Sequence, residues 1–197
     1  CKTALLRELG LATDRDVPLV GVVSRLWEQK GLDLAVSVLP KFLRKDSLQF
    51  VLLGSGDAWL ENEFKRLAVD FPQLCAVRIG YDNGLSHRIE AGCDFFLMPS
   101  RFEPCGLNQM YSMAYGTLPI VRATGGLADT VSGWDGKKKG TGIIFEHADQ
   151  GGIEWALNRA LELYQQPATY RSLQKTAMAA EFSWAKSAEA HLECYLS

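Results

Sequence analysis

The organisation of the chain depends on ten residues, Ser100-Arg101-Phe102-Glu103-Pro104-Cys105-Gly106-Leu107-Asn108-Gln109. The run before them, 93–98, is short, aromatic and almost continuously apolar, which favours a strand buried on both faces. After them, apolar side chains recur at helical spacing, at Leu107, Met110, Met113 and Ala114. The ten residues are therefore a predicted strand-to-helix turn. In open α/β sheets such a turn faces a crevice where strand ends and helix N-termini bind ligands.

The same alternation of apolar runs and amphipathic segments extends along the chain. Strands are predicted at 18–23, 48–53, 76–79, 94–98, 118–121 and 142–145. Helices are predicted at 2–9, from about Gly31, at 60–71, at 86–91, from about Leu107, at 124–129, and in a tail at 153–164, from Pro167 and at 184–196. This order predicts right-handed crossovers and one doubly wound α/β domain, a parallel sheet with helices on both faces.

Composition narrows the possible functions. The 197 residues are 47% hydrophobic and 22% charged, and their net charge of −2 gives no reason to expect nucleic acid or an acidic membrane as a partner. No apolar segment approaches the roughly 20 residues that span a bilayer, and the chain shows no signal-peptide pattern. The five cysteines are odd in number and lack CxxC spacing, which argues against disulfides and a zinc site. We expect a soluble protein in a reducing compartment, with no metal or cofactor.

Two cations follow the first predicted strand. Arg25 and Lys30 lie in its turn, on the same rim of the sheet as Glu103 if the topology is correct. A guanidinium that binds oxygens bidentately, beside an ammonium and a helix N-terminus, favours an anion such as a diphosphate. The alternative is that both are solvated loop charges, since exposed Lys and Arg are common.

Glu103 itself has two interpretations. It could be an ordinary loop carboxylate, or it could accept hydrogen bonds from sugar hydroxyls while the N–H groups of Gly106, Leu107 and Asn108 face the same ligand. Tyr81, at the end of another strand, could stack on a flat base or simply pack.

Other site classes lack their motifs. The glycine-rich turn Gly54-Ser55-Gly56-Asp57 is not a dinucleotide fingerprint, because Trp59 stands where that motif requires Gly or Ala. There is no P-loop motif. The histidines, His87, His147 and His191, are scattered and are interpreted as structural or surface residues.

Several collinear motifs together resemble a known family. They are Ser24-Arg25-Leu26 with Gln29-Lys30-Gly31, 50–57, Ser86-His87-Arg88-Ile89, 98–109, Tyr115-Gly116-Thr117, 124–131 and Phe182-Ser183-Trp184. The chain resembles the carboxyl-terminal, donor-binding half of bacterial glycogen synthases and plant starch synthases. These are retaining glucosyltransferases of the GT-B type, in which two Rossmann-like domains face a cleft.

The resemblance implies a substrate and roles for the residues. The donor would be ADP-glucose, or UDP-glucose, and the acceptor would be the non-reducing end of an α-1,4-glucan. Arg25 and Lys30 would neutralise the diphosphate, and Glu103 would hold the donor glucose as the third catalytic residue. Tyr81 would lie by the adenine, and the backbone of 106–108 would contact sugar and phosphate. The implied location is the bacterial cytoplasm or, alternatively, the plastid stroma.

The sequence also departs from the family pattern. Many related transferases carry a second Glu eight residues after the first, where this chain has Tyr111. The amino-terminal domain, with its Lys-Thr-Gly-Gly-Leu-type loop and most acceptor contacts, is not found in the sequence. We therefore expect a donor domain at 1–181, a final helix at 182–197 that in relatives packs on the other domain, and no turnover by this fragment alone. The alternatives are a non-catalytic nucleotide-sugar or glucan-binding module and, by fold analogy only, a dinucleotide-dependent oxidoreductase.

Overall fold

The computed structural model describes residues 1–137 and 139–196. Its strands are β1 Leu19–Val23, β2 Gln49–Gly54, β3 Cys75–Ile79, β4 Phe95–Met98, β5 Leu118–Arg122 and β6 Ile143–Phe145. Its helices are α1 Lys2–Leu9, α2 Leu32–Leu43, α3 Ala58–Asp70, α4 Asn83–Gly92, α5 Asn108–Tyr115, α6 Gly125–Thr130, α7 Gln150–Tyr164, α8 Pro167–Met178 and α9 Trp184–Leu196. A single 3₁₀ turn, Glu28–Lys30, precedes α2.

The six strands form one parallel sheet in the order β3-β2-β1-β4-β5-β6. This confirms the predicted doubly wound α/β fold. Strands β2 and β3 follow in order on one side of β1, whereas β4, β5 and β6 follow in order on its other side. The connections therefore diverge between β1 and β4. In open α/β sheets ligands bind at such a switch point, outside the carboxyl ends of the strands.

Strands β1, β2 and β4 are buried on both faces, which explains why they are apolar runs and not alternating patterns, whereas the edge strand β3 exposes Arg78. Neighbouring residues point to opposite layers: Phe50 packs in the larger core beneath α2, α3, α7 and α8, whereas Val51 packs in the smaller core beneath α1 and α4. Phe95 and Phe96 divide in the same way. The carboxyl ends of the central strands, where a ligand site is expected, therefore lie over a tightly packed core.

The apolar stripe predicted for α5 is correct in part. Met113 is buried and Met110 packs against the core, but Leu107 lies just before the helix and is 52% exposed, and Ala114 is also exposed. The buried face also carries Gln109 and Ser112. Gln109 turns inward because its side-chain amide donates to the carbonyls of residues 105 and 106 and to the hydroxyl of Thr130. A buried polar group is tolerated where such partners exist.

The tail forms the three predicted helical segments, α7 to α9. Every described side chain of α9 is exposed, with Trp184 at 90%. Docking of this helix on a further domain stays a prediction, and Ser197, its last predicted residue, lies outside the described range. Among the described helices, none combines the length and apolarity that crossing a membrane requires.

Candidate functional site

A crevice opens at the switch point, where the carboxyl ends of β1 and β4 separate. Its inner part, the first cavity, has a volume of about 170 Å³ and is lined by Ser24, Arg25, Lys30, Ser100, Glu103, 106–108 and neighbouring backbone. Two chain segments far apart in sequence meet here: the β1–α2 connection, and the β4–α5 loop with the start of α5 that follows it. The sequence had predicted this meeting for Arg25, Lys30 and Glu103.

A salt bridge lies at the centre of the first cavity. The Nζ of Lys30 donates to Oε2 of Glu103 at 2.5 Å, and the hydroxyl of Ser100 donates to the same oxygen at 3.1 Å. Glu103 is only 7% exposed. Since burial of an unpaired carboxylate is costly, these two donors offset part of the cost of burying Glu103.

Arg101 ties the β4–α5 loop to the β1–α2 connection. Its guanidinium forms a two-pronged pair with the carboxylate of Asp33, at 2.6 and 2.7 Å, and also donates to the carbonyl of Glu28. The pairing lowers the pKa of Asp33 below its usual value, chiefly through the hydrogen bond from Arg101. The backbone N–H of Arg101 donates to the carbonyl of Gln29, and the Gln29 side chain donates to the carbonyl of Phe102. The loop is thus anchored directly beside Lys30.

The other side of the loop is held by β5 and α6. Arg122 donates to the carbonyls of Ser100 and Arg101. The N–H of Gly126 donates to the carbonyl of Glu103 at 3.1 Å. A Cβ at Gly126 would lie 2.1 Å from the carbonyl oxygen of Cys105, so this glycine permits α6 to approach the loop closely.

Gly31 permits a similarly close approach between the β1–α2 connection and the start of the β4–α5 loop. It has a left-handed backbone, with φ of 67°. A Cβ there would lie 2.1 Å from the carbonyl oxygen of Pro99. Both the conformation and the close approach therefore favour glycine at the junction between the 3₁₀ turn and α2.

The first turn of α5 forms one wall of the crevice, as predicted. The side chain of Asn108 donates to the carbonyl of Val23 at the end of β1, which fixes the helix against the sheet. Leu107 is the N-cap residue and provides no side-chain cap. The first N–H groups of a helix have no acceptor within it, so the wall offers hydrogen-bond donors to an anion.

A second cavity continues from the first, with which it shares Arg25 and Asn108. Its volume is about 460 Å³, and it lies between the ends of β1 and β2, the loop 80–83, α4 and Tyr111. Tyr81 stands on its rim and is 89% exposed. Asp82 caps α4 by accepting from the N–H of Leu85. The volume falls in the range of small-molecule sites, and an exposed ring suits stacking on a base.

Four further side chains, which the sequence did not indicate, support or line the two cavities. Arg101 and Arg122 fix the loop, and neither could be paired with its partner from sequence spacing alone. Glu90 lies buried beside the second cavity, although nothing in the sequence distinguishes it from a surface carboxylate. His87, interpreted from the sequence as a structural or surface residue, lines the same cavity within ion-pair distance of Glu90.

The described side chains contain no group of three or more His, Cys, Asp or Glu that could hold a metal ion. The chemistry available from the described residues is therefore that of two cations, a carboxylate and backbone donors around one crevice. Such an arrangement suits the binding of a molecule with a diphosphate at one end and hydroxyl groups at the other.

Comparison with known proteins agrees with this geometry. A glycogen synthase from Anaeromyxobacter sp. (strain Fw109-5) is 53% identical over 100% of this chain, and one from Cellvibrio japonicus is 50% identical over 98% of it. In both cases the chain spans only 41% of the relative's length. The catalytic domain of starch synthase IV from Arabidopsis thaliana, solved bound to ADP and acarbose, matches 99% of the chain with a TM-score of 0.88 and 38% identity.

The family whose model matches the chain is broader than the glycogen and starch synthases. The model describes glycosyl transferases group 1 and covers residues 10–177, which includes both cavities and every helix and strand from β1 to α7. The chain therefore belongs to the group 1 glycosyl transferases.

Proposed function

We propose that the chain is the donor-binding half of an enzyme that transfers glucose from ADP-glucose to the non-reducing end of an α-1,4-glucan, with retention of configuration. The observation that carries the proposal is the Lys30–Glu103 pair at the switch point, with Arg25 beside it. The glycogen synthase relatives and the starch synthase bound to ADP support the choice of nucleotide and glucan.

In this proposal the cations act on the leaving group. Arg25 is exposed in the crevice and makes no ion pair with a described residue, so its guanidinium is available to a phosphate. Lys30 lies deeper and reaches the diphosphate from the side of the sugar. As the bond to glucose breaks, negative charge grows on the diphosphate, and fixed cations stabilise that charge more than they stabilise the ground state.

Glu103 holds the glucose. Its Oε2 already accepts from Lys30 and Ser100, which leaves Oε1 for a sugar hydroxyl. A carboxylate that is held in this way is a poor nucleophile. Departure of the diphosphate and attack by the acceptor therefore take place on one face of the sugar, and no covalent intermediate forms. A second domain would supply the acceptor contacts, and α9 would pack against it.

Calorimetry on this chain tests the donor site. ADP should bind, and Lys30→Ala should weaken binding, whereas Lys65→Ala, an exposed lysine of α3, should not. In a full-length protein containing the chain, transfer of labelled glucose from ADP-glucose to glycogen should fall by about 10²–10³ in Lys30→Ala and in Glu103→Ala, the usual loss when one stabilising group is removed. Absence of ADP binding at millimolar concentration, or near wild-type transfer by both variants, would refute the proposal.

A further inference from the structure

Glu90 is a buried carboxylate that the proposed mechanism does not use. It lies in the last turns of α4, is 2% exposed, and lines the second cavity. Its Oε2 is fully enclosed and has no hydrogen bond within the described residues. Burial raises the pKa of this carboxyl, and the neighbouring His87 only partly opposes that effect.

The neighbours of Glu90 do not explain its presence. The Nδ1 of His87 is 3.4 Å from Oε2, within ion-pair distance but without the geometry of a hydrogen bond. That ring is half exposed to water, and its Nδ1 is also 3.4 Å from the hydroxyl of Tyr115. Because His87 is half exposed and also lies near Tyr115, its interaction with Glu90 offsets little of the free energy that burying the carboxylate costs.

The backbone around Glu90 is nevertheless held firmly. The hydroxyl of Thr117 donates to the carbonyl of Glu90 at 2.5 Å and to that of Cys93 at 2.8 Å. Ile89, the preceding residue, is fully buried in the smaller core. The backbone of Glu90 is therefore fixed, and its 2% exposed side chain lies beside the second cavity. For packing alone, an apolar side chain of similar size would serve this position better.

The second cavity, which Glu90 lines, is where a ligand could meet its carboxylate. It continues from the first cavity at Arg25 and Asn108, and two aromatic rings, Tyr81 and Tyr111, stand on its walls. An ionised carboxylate can only accept hydrogen bonds, so it selects a ligand that presents O–H or N–H groups. Carboxylates recognise ribose hydroxyls in this manner in related crevices of doubly wound sheets.

We propose that Glu90 is a specificity-determining residue, whose carboxylate accepts a hydrogen bond from the nucleoside part of the bound nucleotide, either from a ribose hydroxyl or from an exocyclic amine of the base. This inference rests on the proposed function, because it places the nucleoside in the second cavity. It predicts that stability and binding respond to substitution in opposite directions. This is expected of a residue that lowers the stability of the fold but strengthens ligand binding, because its replacement then raises stability and weakens binding.

The first measurement compares wild type with Glu90→Leu and Glu90→Gln by thermal unfolding and by calorimetric titration with ADP. Glu90→Leu should raise the melting temperature and weaken ADP binding by about ten- to a hundredfold, the range for a hydrogen bond to a charged group. Glu90→Gln, which keeps one acceptor oxygen, should bind with intermediate affinity. Glu162→Leu, at an exposed carboxylate of α7, is the matched control and should leave binding unchanged.

The second measurement identifies the donor group on the ligand. The probes are ADP, 2′-deoxy-ADP, 3′-deoxy-ADP and inosine diphosphate, which lacks the exocyclic amine. The analogue that lacks the partner of Glu90 should bind wild type more weakly than ADP does, yet should bind Glu90→Leu as well as ADP does.

Three outcomes overturn the inference: ADP binding that is equal in wild type and both Glu90 variants, analogue penalties that Glu90→Leu leaves unchanged, or a melting temperature that falls in Glu90→Leu while Glu90→Gln binds normally. These results leave the proposed function standing if wild type binds ADP. Failure of wild type to bind ADP refutes the proposed function, and the inference falls with it.

Discussion

Replacing Gly31 with alanine should damage the fold and the site together, and Gly10 provides a matched control. Both glycines cap helical segments in the left-handed region, Gly31 at φ 67° and ψ 16° and Gly10 at φ 75° and ψ 22°. A Cβ at Gly10 meets nothing within 4 Å, whereas one at Gly31 would lie 2.1 Å from the carbonyl oxygen of Pro99, well inside ordinary contact at 3.4 Å or more. The pair therefore separates backbone strain from the steric effect.

The expected magnitudes follow from this difference. A left-handed alanine costs about 1–2 kcal/mol, which is the whole effect expected for Gly10→Ala. Gly31→Ala adds the cost of forcing an extra atom into a packed place, about 1–3 kcal/mol, for a total of about 2–5 kcal/mol. Relief of the clash moves the loop that carries Glu103 away from Lys30. We therefore expect Gly31→Ala to weaken ADP binding by about tenfold or more, and Gly10→Ala to leave it unchanged.

Urea unfolding and calorimetric titration of the two variants measure both effects. The reasoning is refuted if Gly31→Ala loses no more stability than Gly10→Ala. It is also refuted if Gly31→Ala is clearly less stable but binds ADP with wild-type affinity, because the loop would then move without disturbing the site.

Three further predictions concern the site and its anchors. Lys30→Met should lower the free energy of unfolding by about 1–3 kcal/mol, because it leaves the Glu103 carboxylate buried with one donor, and adding Glu103→Gln should restore part of the loss in urea unfolding. Tyr81→Ala should change stability by less than about 0.5 kcal/mol, since the ring is exposed, yet should weaken ADP binding in calorimetry by about tenfold. Asp33→Asn should lower the melting temperature at pH 7, and the loss should shrink as the pH falls below about 3.8. Arg101 lowers the pKa of Asp33, so the ionised carboxylate stabilises the fold above the ordinary pKa, and this stabilisation is lost as the pH falls through the lowered pKa of the folded state.

Each of these predictions has a contradicting result. Equal stability of Lys30→Met and wild type would mean that the salt bridge is not needed to keep Glu103 buried. Unchanged ADP affinity in Tyr81→Ala would remove the ring from the nucleotide site. A loss of melting temperature in Asp33→Asn that does not shrink as the pH is lowered below about 3.8 would show that packing, and not the ion pair with Arg101, is responsible.

The six strands and the site turn could be predicted because buried parallel strands are continuous apolar runs and because ligand-binding turns follow them. The order of the strands could not be predicted, since nothing local indicates that β4 lies beside β1. Arg101 and Asp33 are 68 residues apart, so their pairing depends on that order. Apolar spacing alone predicts Leu107 on the buried face of α5, because it takes no account of the hydrogen bonds that draw Gln109 inward. The burial of Glu90 could not be predicted from the sequence either, because glutamate side chains are usually exposed.

The bonds that hold the β4–α5 loop also have a thermodynamic consequence. Ordering a flexible backbone costs about 1–2 kcal/mol per residue, and a loop that folded only around its ligand would subtract that entropy from the affinity. Here Asp33, Gln29, Arg122 and Gly126 already hold the segment that carries Glu103. The loop therefore loses its conformational entropy when the protein folds and not when the ligand binds. If the proposed function is correct, the nucleotide concentration that half fills the crevice is set by the polar contacts and by the water they displace.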